Sequence, residues 1–351
     1  MNQSFIKNKN NTGYILKGIT ILLIILSVVG YAIDVDYYLM RPGTAEHLRP
    51  LIQVEGNTTE ESGRLMLTTV SSIPGNLLFY ILAQLDKNTE LVAREEVLGS
   101  YDMDDELYRE VMLLYMEQSQ HDAIYNAFKL AGKDVELVEK AVLVRDVAPE
   151  SKATNILKPG DIIYKVDGIE MKNSEQIIDY IKTKPIGSIV KVGYEREDEQ
   201  MEADIELISH PEIEEARIGI TIMTDRELIA DRNVNIDTGL IGGSSAGLMF
   251  TLEIYNQLTE SDITKGYYIA GTGTINSKGD VGQIGGIIHK VKAAQNAKAE
   301  IFFVPKDINE YDSNEKDAIA RNEELGNPLK IVPVKHVSEV IEYLQALSPK
   351  K

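Results

Sequence analysis

Two adjacent serines stand in a glycine cluster at residues 241–250, IGGSSAGLMF, and the cluster opens straight into an apolar run. Gly243, Ser245 and Gly247 satisfy GxSxG, a spacing that sets a serine on a sharp turn ahead of a helix with its hydroxyl free to attack a carbonyl. Ser244 has a plainer role open to it, as a helix cap. A serine hydroxyl is a weak nucleophile alone, so the pattern needs a base. His289 and His336 follow Ser245 in the order a Ser–His hydrolase would use. Lys290 is the other candidate. In VGQIGGIIHKVKAAQNAKAEIFFVP a Gly-Gly pair precedes an amphipathic stretch, and at about 100° per residue Ile287, Val291 and Ala294 form its apolar stripe. Lys290 falls at the edge of that stripe, while His289 and Lys292 are expected to point away. A lysine held against apolar neighbours is disfavoured as an ammonium, so its pKa falls and its amine can serve as a base near neutral pH. The plain alternative is a surface lysine that snorkels.

The elements that must position these groups are readable from periodicity. Leu248, Met249, Leu252 and Tyr255 recur on one face after the serines, which predicts a buried helix there. The lysine helix is followed by the apolar strand EIFFVP, ending at Pro305. Far upstream, GRLMLTTVSSI reads as a strand, and DDELYREVMLLYMEQSQHDAIYNAFKLAGK as a helix with acids in its first turn and a stop at Gly132.

Composition narrows what such a site could serve. Of 351 residues, 43% are apolar and 26% charged, which is ordinary for globular material. A net charge of -19 argues against nucleic acid as a partner, because phosphates need a basic face. Cysteine is absent, which removes disulfides, thiolate catalysis and Cys-ligated zinc. The five histidines are scattered and form no HExxH pair, so no metal site is expected.

Lys7, Lys9 and Lys17 precede the uncharged run ITILLIILSVVGYAI at residues 19–33, and Asp34 and Asp36 close it. Counted back to Tyr14, the run reaches the roughly 20 residues a bilayer needs. Its charge asymmetry predicts residues 1–18 in the cytoplasm, a membrane anchor over 19–33 and the remainder outside the cell. A cleaved signal peptide is the other reading, since Gly30-Tyr31-Ala32 loosely fits a small-x-small site. Either way the bulk of the chain is exported.

Between the two halves lies EKAVLVRDVAPESKATNILKPGDIIYKVDGIEMKNSEQIIDYIKTKPIGSIVKVGYERE, read as strand, turn, strand, helix, strand. Its KPGDIIYKVDG and IIDYI elements resemble a PDZ domain, and the resemblance implies a groove that takes a peptide as an added strand. Where such domains carry a glycine loop that captures a terminal carboxylate, EKAVLVRDV has no glycine. Strand addition stays open to such a block, whether or not it captures a terminal carboxylate, and a spacer or dimer contact is the alternative role.

GGSSAG followed by GTGTINSKGDVGQIGGIIHKVKAA is similar to the proteolytic domain of the Lon family, with both motifs in order around the TGTI strand. That resemblance implies Ser245 as nucleophile, Lys290 as base and Thr272 as the threonine that hydrogen-bonds the lysine. Two positions depart from the family: Gly243 replaces the residue usual there, and Ser244 replaces a common proline, changes that bear on loop rigidity.

The resemblance also implies a fold class, an α/β (α+β) Lon-type protease domain with an inserted PDZ-like β-sandwich or barrel, preceded by one transmembrane helix. The protease domain is expected over 45–133 and 211–348, interrupted by the PDZ domain at 134–210. This order resembles the membrane-anchored proteases of the SepM and YlbL type in Gram-positive bacteria. No GxxxxGK[ST] phosphate loop occurs, so hydrolysis is expected without ATP or any other cofactor. Substrates are expected to be short secreted peptides or unfolded, flexible parts of small membrane proteins, with backbone N–H groups of Gly243 to Ser245 stabilising the oxyanion. Two other classes stay open: a secreted esterase using Ser245 with a histidine, and a PDZ adaptor that binds peptides without cutting them.

Overall fold

A computed structural model of the chain describes residues 4–98, 105–209 and 215–350. It divides into two compact units, one of Met1–Gln53, Asn57–Gln120 and Asn235–Lys351, the other of Val54–Gly56 and His121–Val234. The expected border at 210–211 lies outside the described residues.

Helix α1 (Ser4–Tyr31) contains an 18-residue window, Tyr14–Tyr31, long and apolar enough to cross a membrane. Its apolar side chains, such as Leu22 and Ile24, stay exposed, because a helix apolar on all sides has no single face to turn toward a core. Strand β1 (Asp34–His47) starts almost at once, and β2 (Arg64–Asn76) pairs with it antiparallel from Asp34↔Asn76 to His47↔Met66. Helix α2 (Leu77–Ala83) follows directly, capped by Asn76, whose side chain accepts from the Phe79 N–H at 2.9 Å. The Leu77 N–H donates to the Ile33 carbonyl at 2.8 Å, tying α2 to the end of α1. Strand β3 (Glu90–Ala93) lies on the other edge of β1. Helix α3 (Asp105–Leu130) has Asp105 and Glu106 in its first turn, where acids suit the dipole, and Gly132 takes the left-handed φ of 65° that ends it.

In the second unit, β4 (Val135–Val147), β5 (Ile162–Val166), helix α4 (Ser174–Lys182) and β6 (Ile189–Arg196) follow the expected alternation, and β7 (Glu199–Glu206) and β8 (Ile220–Ala230) add two strands to it. The sheet order is β8-β4-β5-β6-β7, antiparallel throughout. Asn173 caps α4, and Ile177 and Ile181 on its inner face pack with Val142, Ile163 and Val192 into one core. A fork of two 2.7 Å hydrogen bonds from Arg196 satisfies the buried Asp161 carboxylate. Strand β8 pairs with β4 from Ile220↔Val147 to Ala230↔Val135, with register shifts between Thr221 and Ile222 and between Asp225 and Arg226.

The rest of the first unit comprises helix α5 (Gly247–Leu258), β9 (Tyr268–Gly271), helix α6 (Ile287–Asn296), β10 (Ile301–Pro305), β11 (Lys330–Val334) and helix α7 (Val337–Ala346). Its sheet runs β11-β10-β9-β2-β1-β3. The β9, β10 and β11 strands are parallel and joined by helical crossovers, and β10, IFFVP, is buried along its whole length, the signature of a strand covered on both sides. Strand β2, from before the middle block, pairs with β9, from after it, through Arg64↔Tyr268 to Leu67↔Gly271.

Candidate active site

The serine loop is built by contacts from both sides. Gly243 takes φ 87°, in the left-handed region that favours glycine, and its N–H donates to the Met112 carbonyl of α3 at 2.7 Å. Ser119, two turns further along α3, donates its hydroxyl to the Ser244 carbonyl at 3.0 Å. At Gly247 an added Cβ would lie 2.7 Å from Ser119 Oγ and 2.8 Å from Ile275 Cγ2, so the close approach requires glycine. On the other side the Ser245 carbonyl accepts from the Gly273 N–H at 2.9 Å and from Thr272 Oγ1 at 3.0 Å. Ala246 then caps α5, and Ser245 stands at the positive end of that helix.

Lys290 arrives on the first turn of α6. Gly286 starts the helix at φ 68°, where a Cβ would press to 2.9 Å on Val70. Lys290 is 4% exposed, and its Nζ donates to Ser245 Oγ at 2.8 Å and to the Thr68 carbonyl at 3.0 Å. Among the described residues no carboxylate pairs with it. Burial therefore acts unopposed and pushes its pKa from the ordinary 10.5 down to about 8. Both groups open on a cleft of about 700 Å³, whose apolar wall includes Met112, Tyr115, Leu240 and Ile284.

The fold thus brings Ser245 and Lys290 into hydrogen-bond contact, and it differs from the sequence expectations in three places. Thr272 was expected on the lysine amine. Its hydroxyl instead holds the Ser245 carbonyl, and Thr68 O takes the amine. Gly243 was expected to offer its N–H to an oxyanion, but that N–H is spent on Met112. The Ser244 and Ser245 N–H groups have no acceptor among the described residues. His289 was expected to face away from the core. It is 3% exposed, with Nε2 3.1 Å from Glu90 Oε2, and burial lowers its pKa.

His336 caps α7, its ring nitrogens engaged by Ser338 and by the Lys278 carbonyl. Neither histidine lines the cleft. Lys292 reaches Gln295 at 2.7 Å. No cluster of His, Asp or Glu able to hold a metal ion occurs among the described residues. Sequence reasoning missed Thr68, Met112 and Ser119. Thr68 and Met112 act through backbone carbonyls, which carry no residue signal, while the seven-residue spacing of Met112 and Ser119 marks one face of α3.

Two known protein families match separate stretches of the chain. Residues 131–207 match the PDZ domain family, and residues 228–347 match the Lon protease (S16) C-terminal proteolytic domain. The chain is 31% identical over 118 residues to the archaeal Lon protease of Halobacterium salinarum, which covers 34% of this chain and 16% of that protein. It is 34% identical over 114 residues to the Lon protease of Metamycoplasma arthritidis, covering 32% and 13%. The chain spans only these small shares of the relatives' lengths. Among solved structures, the PDZ domain of the SdrC-like protein from Listeria monocytogenes is 36% identical, covering 23% of this chain and 86% of that one at a TM-score of 0.23. The chain thus carries a match to a PDZ domain over residues 131–207, followed by a match to the Lon protease (S16) C-terminal proteolytic domain over residues 228–347.

Proposed function

We propose that the chain is a membrane-anchored serine endopeptidase that works without ATP, using Ser245 as nucleophile and Lys290 as base. The observation that carries this reading is the 2.8 Å contact between a buried, carboxylate-free Lys290 Nζ and Ser245 Oγ. The neutral amine takes the Ser245 proton as Oγ attacks a peptide carbonyl. It then returns that proton to the leaving amine, and water resolves the acyl-enzyme through the same base. The Thr68 carbonyl stabilises the transient ammonium, and Thr272 keeps the Ser245 backbone in place. The Ser244 and Ser245 N–H groups at the head of α5 are the oxyanion donors in this scheme.

The pairing of β2 with β9 supports a proteolytic domain whose two halves, 45–133 and 211–348, flank an inserted PDZ domain. Helix α1 is the anchor, with the N-terminus in the cytoplasm and the catalytic unit outside. Exposed Ile81, Leu82 and Leu85, in and just after α2, extend the apolar surface beside the end of α1, where Tyr31 and Phe79 meet edge to face at 6.0 Å. Without an unfoldase the substrates are extended: secreted peptides and flexible outer segments of small membrane proteins.

Purified full-length protein and a quenched fluorogenic peptide test the nucleophile. Ser245→Ala should abolish cleavage with the fold intact, while Ser244→Ala keeps most of it. Equal loss in both folded variants would remove Ser245 from its role.

A further inference from the structure

The cleft beside Ser245 carries one charge that the Ser245–Lys290 pair does not use. Among the described residues that line it, Glu46 is the only acid and Lys290 the only base. Glu46 is half-buried on β1, and among the described residues its carboxylate has no hydrogen-bond or ion-pair partner. It does not serve Lys290, whose amine donates to Ser245 Oγ and to the Thr68 carbonyl.

A bulge in β1 brings Glu46 to the cleft. The register with β2 shifts between Pro42 and Ala45, placing one extra residue on β1, and bulges of this kind re-aim side chains beside active sites. The Thr44 N–H donates to Thr69 Oγ1 at 2.9 Å, and a Cβ on Gly43 would collide with the same oxygen, so the bulge needs glycine there. Past the shift Ala45 pairs with Thr68 and Glu46 with Leu67. Glu46 therefore stands one pair along from the residue whose carbonyl holds the Lys290 amine, on the face it shares with Leu67. The walls it interrupts are largely apolar, among them Met40, Met112, Tyr115 and Leu240.

A carboxylate in such a wall sets a condition on what fills the cleft. A bound peptide takes water away from it, and a charge that loses water without gaining a partner is costly. A lysine or arginine side chain supplies the partner. An uncharged side chain of the same length does not, and a glutamate adds repulsion.

We propose that Glu46 is a specificity-determining residue of this cleft and selects extended peptides that carry a lysine or arginine close to the scissile bond. The proposal rests on the reading of Ser245 and Lys290 as a proteolytic pair, and it names the class of peptide they act on as cationic. The net charge of -19 favours the same class at longer range by drawing cationic peptides toward the chain. A charge-assisted hydrogen bond to a half-buried carboxylate is stronger than a surface ion pair, and it should raise kcat/KM about tenfold over the uncharged side chain.

The test uses full-length protein in detergent and quenched fluorogenic peptides of one apolar background. Lysine or norleucine is placed in turn at each position near the scissile bond, and the cut sites are read by mass spectrometry. At one position lysine should exceed norleucine about tenfold in kcat/KM with the parent protein. In Glu46→Gln, which keeps the shape and drops the charge, that ratio should fall to about one, and in Glu46→Lys glutamate should be preferred to lysine. Each ratio is taken within one protein, so a change in overall rate does not imitate the effect. Should Glu46→Gln fail to fold, the inverted preference of Glu46→Lys decides alone.

Cleavage by the parent with no lysine preference at any position would overturn the proposal and leave the proteolytic pair standing. A preference that survives Glu46→Gln would also overturn it, because the net charge at large would then be the cause. Cleavage by Ser245→Ala at the parent's rate would instead remove the proteolytic pair, and the proposal with it.

Discussion

The pH dependence of peptide cleavage tests the base directly. Lys290 has only desolvation acting on it, and its pKa falls to about 8. With that value about a tenth of the enzyme carries the neutral amine at pH 7, about half at pH 8 and about nine-tenths at pH 9. The free-enzyme rate, kcat/KM, should therefore rise about tenfold from pH 7 to 9 and then level off. An ordinary lysine near 10.5 would give about a hundredfold rise over the same span with no levelling.

The sign carries over to stability. The folded pKa lies below the unfolded one, so between pH 8 and 10.5 the unfolded chain binds more protons. The lysine's contribution grows across that window, is fully present above 10.5 and is lost as pH falls through 8, at about 3 kcal/mol in all. The assay is initial-rate hydrolysis of a fluorogenic peptide by full-length protein, with Lys290→Arg as companion. Guanidinium stays protonated at every usable pH, so the folded arginine variant should be inactive throughout. A flat profile, a plateau already reached by pH 7, or an active Lys290→Arg would refute the lysine base.

Two further outcomes follow from particular contacts. Thr272→Val removes the hydroxyl that holds the Ser245 carbonyl and leaves only the Gly273 N–H, so kcat should fall about fivefold, near 1 kcal/mol, with KM little changed. A shift in Tm with kcat intact would reduce Thr272 to a structural role. The chain has no tryptophan, so single tryptophans report membrane depth: in vesicles of brominated phosphatidylcholine, Leu26→Trp should be quenched deeply and Leu85→Trp at the interface. Tyr311→Trp, 89% exposed in the parent, should not be quenched. An unquenched Leu26→Trp would refute the anchor, and a quenched Leu26→Trp beside an unquenched Leu85→Trp would detach α2 from the bilayer.

The sequence by itself determined the parts that local rules govern. The serine loop was legible because GxSxG combines a turn with a helix start, and the lysine helix because Gly-Gly precedes an apolar stripe. The apolar N-terminal run, the α3 helix with its stop at Gly132 and the strand–helix order of the middle block were readable for the same reason, since period and punctuation are carried by neighbouring residues.

Tertiary structure decided what depends on residues far apart in the chain. A helical wheel allows one core face, but α6 packs on β1, β2 and helix Asn314–Glu324 together, which is why His289 is buried against Glu90 instead of facing away. Lys290 finds the carbonyl of Thr68, 222 positions upstream, and no side-chain pattern marks a backbone acceptor. Thr272 lies where its hydroxyl meets the Ser245 carbonyl because β9 ends beside the serine loop. Only the register across β4 makes β8 the edge strand of the middle sheet, since pairing partners are set by packing of the whole sheet and not by the strand's own residues.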